Sequence, residues 1–138
     1  MQTIINRPIL LVEDDRVDAK TVQRAFKDLR VTNRLDVVGN GEEALAFLRD
    51  ANNERPSLIL LDLNMPKMNG IEFLRSAKQD DALKMIPVVV LTTSTAEQDV
   101  VDSYRLSVAG YMHKPVDYKQ FVEVVRIIQF YWTVCETP

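Results

Sequence analysis

Three consecutive acids, Glu13, Asp14 and Asp15, follow directly on the apolar run "ILLV", and a fourth, Asp62, closes the run "LILLD". Thr92 and Thr93 follow "VVVL", and Lys114 follows "GYMH". Carboxylates sharing one shallow pocket repel: at about 4 Å and an effective dielectric near 20, each like-charged pair costs on the order of 4 kcal/mol. A proton or a cation must offset that repulsion. Hard oxygen donors favour magnesium or calcium over zinc, and magnesium commonly binds through one or two carboxylates, waters and a substrate phosphate. An aspartate can also be the nucleophile, forming an aspartyl phosphate. The transferring oxygens then need positive charge, which a metal supplies on one side and a lysine on the other. Asp62, Lys114 and a divalent metal are a sufficient set for that chemistry.

These residues are far apart in the chain, so the fold must bring them to one edge. Five short apolar runs, at residues 8–13, 34–38, 57–63, 87–93 and 109–114, are too short for core helices. Three of them are continuously apolar, as expected of parallel strands covered on both faces. Between the runs, apolar residues recur at helical spacing: Val17, Val22, Ala25, Phe26 and Leu29, then Ala44, Leu45, Phe47 and Leu48, then Ile71, Phe73, Leu74 and Ala77. Thr95 and Gln98 suit a capping box opening a fourth helix, and residues 117–134 suit a fifth. Right-handed crossovers then give an α/β fold, a doubly wound five-stranded parallel sheet with five helices. Ligands of such sheets bind beyond the carboxyl ends of the strands, where the winding reverses. The acids, the threonine and the lysine all fall at those ends.

The bulk properties narrow the field. With 138 residues, 46% hydrophobic and 27% charged, the chain is expected to be a single domain over 1–138, its core spanning about 7–134, with no output domain. A formal net charge of −3 gives no electrostatic case for nucleic acid. One cysteine, Cys135, and one histidine cannot build a structural zinc site or an internal disulfide. The N-terminus lacks the pattern of a signal peptide, and no stretch approaches a membrane span, so a cytoplasmic location off the membrane is expected.

The motifs "LLVEDD", "LILLDLNMPKMNG", "VVVLTTS" and "GYMHKP" occur in the order found in receiver domains of two-component response regulators, which the sequence resembles over nearly its whole length. The Pro-x-x-x-Gly run "PKMNG" is the most specific of them. The resemblance implies a flavodoxin-like receiver fold and a phosphoacceptor at Asp62. It implies Mg2+ held by Glu13, Asp14, Asp62 and the backbone carbonyl of Asn64. Lys114 would be the site lysine, Thr92 the switch hydroxyl and Tyr111 the switch aromatic, with a cis bond before Pro115. The implied activity is a phosphoacceptor switch that catalyses its own phosphorylation and dephosphorylation. The partner would be a sensor histidine kinase. "DDRVDAKTVQRAF", "DANNERPS" and the "FYW" end look like stand-alone regulators paired with bacterial phytochromes, and a histidine phosphotransfer protein is the alternative partner.

Simpler readings compete at particular residues. Asp15 is better explained as the cap of the first helix than as a metal ligand. His113 and Cys135 need no function, and Ser94 occupies a position that tunes dephosphorylation in the family. The last helix carries more apolar residues than one packed face uses, which points to a homodimer through Phe130, Tyr131 and Trp132. A haloacid dehalogenase-like phosphatase would want an acid where Asn64 stands. A flavodoxin-like nucleotide binder would want a glycine-rich loop after the first strand, and none follows.

Overall fold

A computed structural model describes residues 7–28, 33–63, 68–92, 96, 100–102, 105–114, 119–120, 123 and 126. Its strands are β1 (Ile9–Val12), β2 (Leu35–Val38), β3 (Leu58–Asp62), β4 (Val88–Thr92) and β5 (Gly110–His113). The helices bounded within the described residues are α1 (Arg16–Asp28), α2 (Gly41–Arg49) and α3 (Gly70–Lys78), and residues 96, 100–102, 119–120, 123 and 126 are also helical. All five strands fall within the apolar runs of the sequence.

The strands pair in parallel in the order β2-β1-β3-β4-β5. From β1 the chain steps outward to β2 and then returns past β1 to β3, so the winding reverses between β1 and β3. The alternation of a strand's side chains divides the core accordingly. Leu10, Val12, Ile59, Leu61, Val88 and Val90 pack with α2, α3 and Val101 on one face. Ile9, Leu11, Leu58, Leu60, Val89 and Leu91 pack with Ala19, Val22 and Phe26 of α1 on the other. Every residue of β1 is fully buried, which is why its run reads as continuously apolar.

The expected stripe on the first helix needs one correction. Val17 is not a core residue but 72% exposed, and it stands at the rim of the acidic cleft. It lies in the first turn of α1, over the strand ends, where there is no sheet left to cover it. Ala19 is buried in its place, while Leu29 lies outside the described residues.

Helix starts follow their sequence signals. Asn40 caps α2 by accepting from the Glu43 amide, and Asn69 and Glu72 form a reciprocal capping box at α3. Gly70, the glycine of "PKMNG", donates its amide to the Leu63 carbonyl at 3.1 Å. A Cβ there would lie 2.6 Å from both the Asp62 carbonyl oxygen and the Leu63 Cα, atoms of a backbone that cannot easily give way. Gly70→Ala is therefore expected to destabilise the fold by about 1–3 kcal/mol in urea denaturation, as overpacking typically does. Wild-type stability in this variant would contradict the close approach.

Candidate functional site

The parallel register that pairs Val12 with Leu61 sets the next residues, Glu13 and Asp62, side by side where the winding reverses. Only four polar residues among those described are buried: Glu13, Asn40, Ser57 and Asp62. Asn40 caps a helix, and Ser57 Oγ lies 3.5 Å from the Arg7 and Pro8 carbonyl oxygens. Glu13 and Asp62 are the two acids among them, and two buried acids side by side are costly without a cation.

Lys114, just beyond β5, reaches across the strand ends to supply one. Its Nζ lies 2.9 Å from Glu13 Oε1, 3.0 Å from Asp18 Oδ2 and 3.3 Å from Asp62 Oδ1, with the lysine side chain 15% exposed. The pairing with Glu13 is close but poorly aligned, for Oε1 accepts no hydrogen bond of good geometry despite its burial. The neighbouring Oε2 accepts from the Asp15 amide at 3.3 Å.

The three acids of the opening run separate cleanly. Asp15 Oδ1 accepts from the amides of Val17 and Asp18 at 2.8 and 3.1 Å, which makes Asp15 the cap of α1. Asp14 is exposed and, with Glu13 and Asp62, offers one of three carboxylate oxygens lying within 4.8 Å of one another. A cleft of about 610 Å³ opens over these groups, with Lys114 and Asp18 in its wall.

Electrostatics at the site are dominated by burial. Burial pushes the Glu13 carboxyl from 4.5 up to about 7; the Asp62 charge adds to the rise, and Lys114 only partly counters it. Burial also works against the Lys114 ammonium, but Glu13, Asp18 and Asp62 outweigh it and raise its pKa above the usual lysine value. The lysine therefore stays charged, while Glu13 is held near the edge of ionisation.

The donor set fits a divalent cation. Three carboxylate oxygens converge, all hard donors, and the buried Glu13 Oε1 lacks an aligned partner. Of the residues singled out in the sequence, Glu13, Asp14, Asp62 and Lys114 come together here. Thr92 closes β4, paired in register with His113 between β3 and β5, and nothing is described of its side chain. Tyr111 on β5 is partly buried, and its hydroxyl donates to Asp102 Oδ1 at 3.0 Å. Asn64, Thr93, Ser94, Thr95, Pro115, Phe130, Tyr131, Trp132 and Cys135 lie outside the described residues. Asp18 was not among the sequence candidates, although its place three residues after the Asp15 cap sets it in the first turn, above the strand ends.

Comparison with known proteins gives one consistent result. The family model described as the response regulator receiver domain matches residues 9–126. Response regulator Rcp1 of Synechocystis sp. is 44% identical over 128 residues, covering 90% of this chain and 87% of that protein. The probable methanogenesis regulatory protein FilR2 of Methanothrix harundinacea is 39% identical, covering 90% and 82%. Among solved structures, the bacteriophytochrome response regulator RtBRR superposes with a TM-score of 0.82 at 42% identity, covering 95% of this chain and 82% of that one. The Mn(2+)-bound form of Rcp1 superposes at 0.72 with 44% identity, covering 94% and 96%.

Proposed function

The chain belongs to the response regulator receiver domain family, and from that premise we propose that it is a phosphorylation switch whose Asp62 accepts a phosphoryl group from a histidine kinase. The observation that carries this reading is the burial of Asp62 in a triple-carboxylate cluster with the Lys114 ammonium 3.3 Å away. An Asp62 carboxylate oxygen bonds the phosphorus as the donor's bond to phosphorus breaks, and the leaving group keeps the electron pair. Lys114 stabilises negative charge on the transferring oxygens from the β5 side. Glu13, Asp14 and Asp62, with the Asn64 backbone carbonyl that the family resemblance adds, would hold Mg2+. When bound, that ion supplies charge neutralisation for phosphoryl transfer.

Phosphorylation replaces one negative charge at Asp62 with about −1.5 to −2 and three acceptor oxygens. Thr92 then donates to a phosphoryl oxygen, and Tyr111 leaves Asp102 and turns inward. The readout is an altered surface over helix 4, β5 and helix 5, used for protein contacts. Moving the domain from about 1% to 99% active takes roughly 5.5 kcal/mol of differential stabilisation, within reach of a few charge-assisted hydrogen bonds. The names of its relatives, which include bacteriophytochrome and phytochrome response regulators, favour a phytochrome-type kinase as the partner. Among the described residues no helix is long and apolar enough to cross a membrane, and a cytoplasmic location is part of the same proposal.

The test is direct. With acetyl phosphate and Mg2+, the wild-type chain is expected to gain one phosphoryl group by intact mass, stable in acid and labile in base, while Asp62→Asn gains none. Equal labelling of the two proteins would refute the site.

A further inference from the structure

The Lys114 ammonium lies within 3.3 Å of an acid from each of three parts of the chain: Glu13 after β1, Asp62 at the end of β3 and Asp18 in α1. The contact with Asp62, the residue that would react, is the longest of the three at 3.3 Å. The contact with Asp18 is a well-formed hydrogen bond of 3.0 Å. An acid in the first turn of a helix has an ordinary explanation in the helix dipole. Here, though, capping is done by Asp15, and the Asp18 carboxylate reaches into the cleft instead.

We propose that Asp18 is a positioning residue for the phosphoryl-transfer reaction, holding Lys114 Nζ on the α1 side of the cleft in competition with the phosphoryl oxygens. The inference rests on Asp62 being the phosphoacceptor. Phosphorylation adds acceptor oxygens beside an ammonium already within 3.3 Å of three carboxylates, so they compete with the contacts it has. Glu13 is fully buried, and losing the lysine would strand its charge. The Asp18 side chain is 39% exposed and can be rehydrated at little cost, so its contact is the one exchanged. Until then, its negative charge cancels part of the attraction that Lys114 exerts on an approaching phosphate.

Asp18→Asn keeps the shape and weakens the hold. The rate constant for labelling by acetyl phosphate in Mg2+ is expected to rise about three- to tenfold, and beryllofluoride affinity by a similar factor, as loss of a partly exposed charged pair implies. Both gains should vanish when Lys114→Met is also present. In metal-free protein, the ammonium protons of Lys114 should exchange faster with water by NMR in Asp18→Asn than in wild type. A wild type that labels normally beside an Asp18→Asn that labels no faster would overturn the inference alone, as would an equal gain in beryllofluoride affinity without Lys114. A wild type that takes no phosphoryl group would overturn the assignment of Asp62, and the inference with it.

Discussion

Replacing Lys114 with alanine is expected to cost about 2–4 kcal/mol of folding stability at pH 8 and to slow phosphoryl acceptance by a factor on the order of 10² or more. The first effect follows from what the lysine leaves behind. Glu13 and Asp62 are 3% and 4% exposed, and the ammonium within 3.3 Å of both is the cation that makes their burial tolerable. Removing one member of a buried ion pair typically costs about 3–5 kcal/mol, because the remaining charge is uncompensated. The loss here is smaller because Glu13 can take up a proton: its carboxyl already stands at about 7 with the lysine present. The destabilisation should accordingly shrink in urea titrations at pH 5, where Glu13 is neutral. An equal loss at both pH values would show that Lys114 acts through packing rather than charge. The kinetic effect is separate and is measured by the rate of labelling from acetyl phosphate at saturating Mg2+.

Glu13→Gln is the second substitution with a large consequence, and its sign is opposite. The Glu13 carboxyl ionises at 4.5 in a solvated chain and at about 7 in the folded protein. Between those values the folded state holds a proton that the unfolded state has released, so folding stability falls as pH rises from about 4.5 through 7. A shift of that size corresponds to at most about 3 kcal/mol at pH 8. Lys114 adds no slope in this window, since an ordinary lysine in the unfolded chain and the raised one in the folded protein both stay charged well above pH 8. Glu13→Gln should therefore be the more stable protein at pH 8, by up to about 3 kcal/mol, with the advantage gone near pH 4.5. Mg2+ should reverse the order, stabilising the wild type most at pH 8, where the carboxylate is free to ligate. The check is urea denaturation of both proteins at pH 5, 6 and 8 with and without Mg2+. A stability difference that does not change with pH would contradict the burial-driven shift.

These two residues illustrate what the sequence could and could not reveal. The strands were legible because both faces of the sheet are covered: β1, β3 and residues 88–91 of β4 are buried and show as apolar runs. Glu13, Asp14, Asp62 and Lys114 were legible because each sits within two residues of the carboxyl end of a strand run, where the fold exposes a polar edge. Asp15 was separable from its neighbours by the need of α1 for a cap, a need its two amide contacts meet.

Helical periodicity was less reliable near the site. It assigned Val17 to the core because the angle around the axis is right, but the first turn of α1 rises past the end of the sheet. The same geometry hid Asp18. On a helical wheel it belongs to the charged face, and only the position of that turn over the strand ends brings its carboxylate to Lys114. Gly70 was part of a recognisable motif, but its reason is a long-range approach to the Asp62–Leu63 backbone that no local pattern encodes. The raised carboxyl of Glu13 likewise arises from burial between strands, not from any neighbour in sequence.

Among the acids that share this cleft, Asp62 is the one proposed to carry the phosphoryl group. Borohydride reduction of the protein after exposure to acetyl phosphate and Mg2+ converts an aspartyl phosphate to homoserine, which peptide mass spectrometry locates by residue. Homoserine is expected at position 62 and at no other acid of the cleft. Homoserine at position 14, 15 or 18, with Asp62 unchanged, would contradict it.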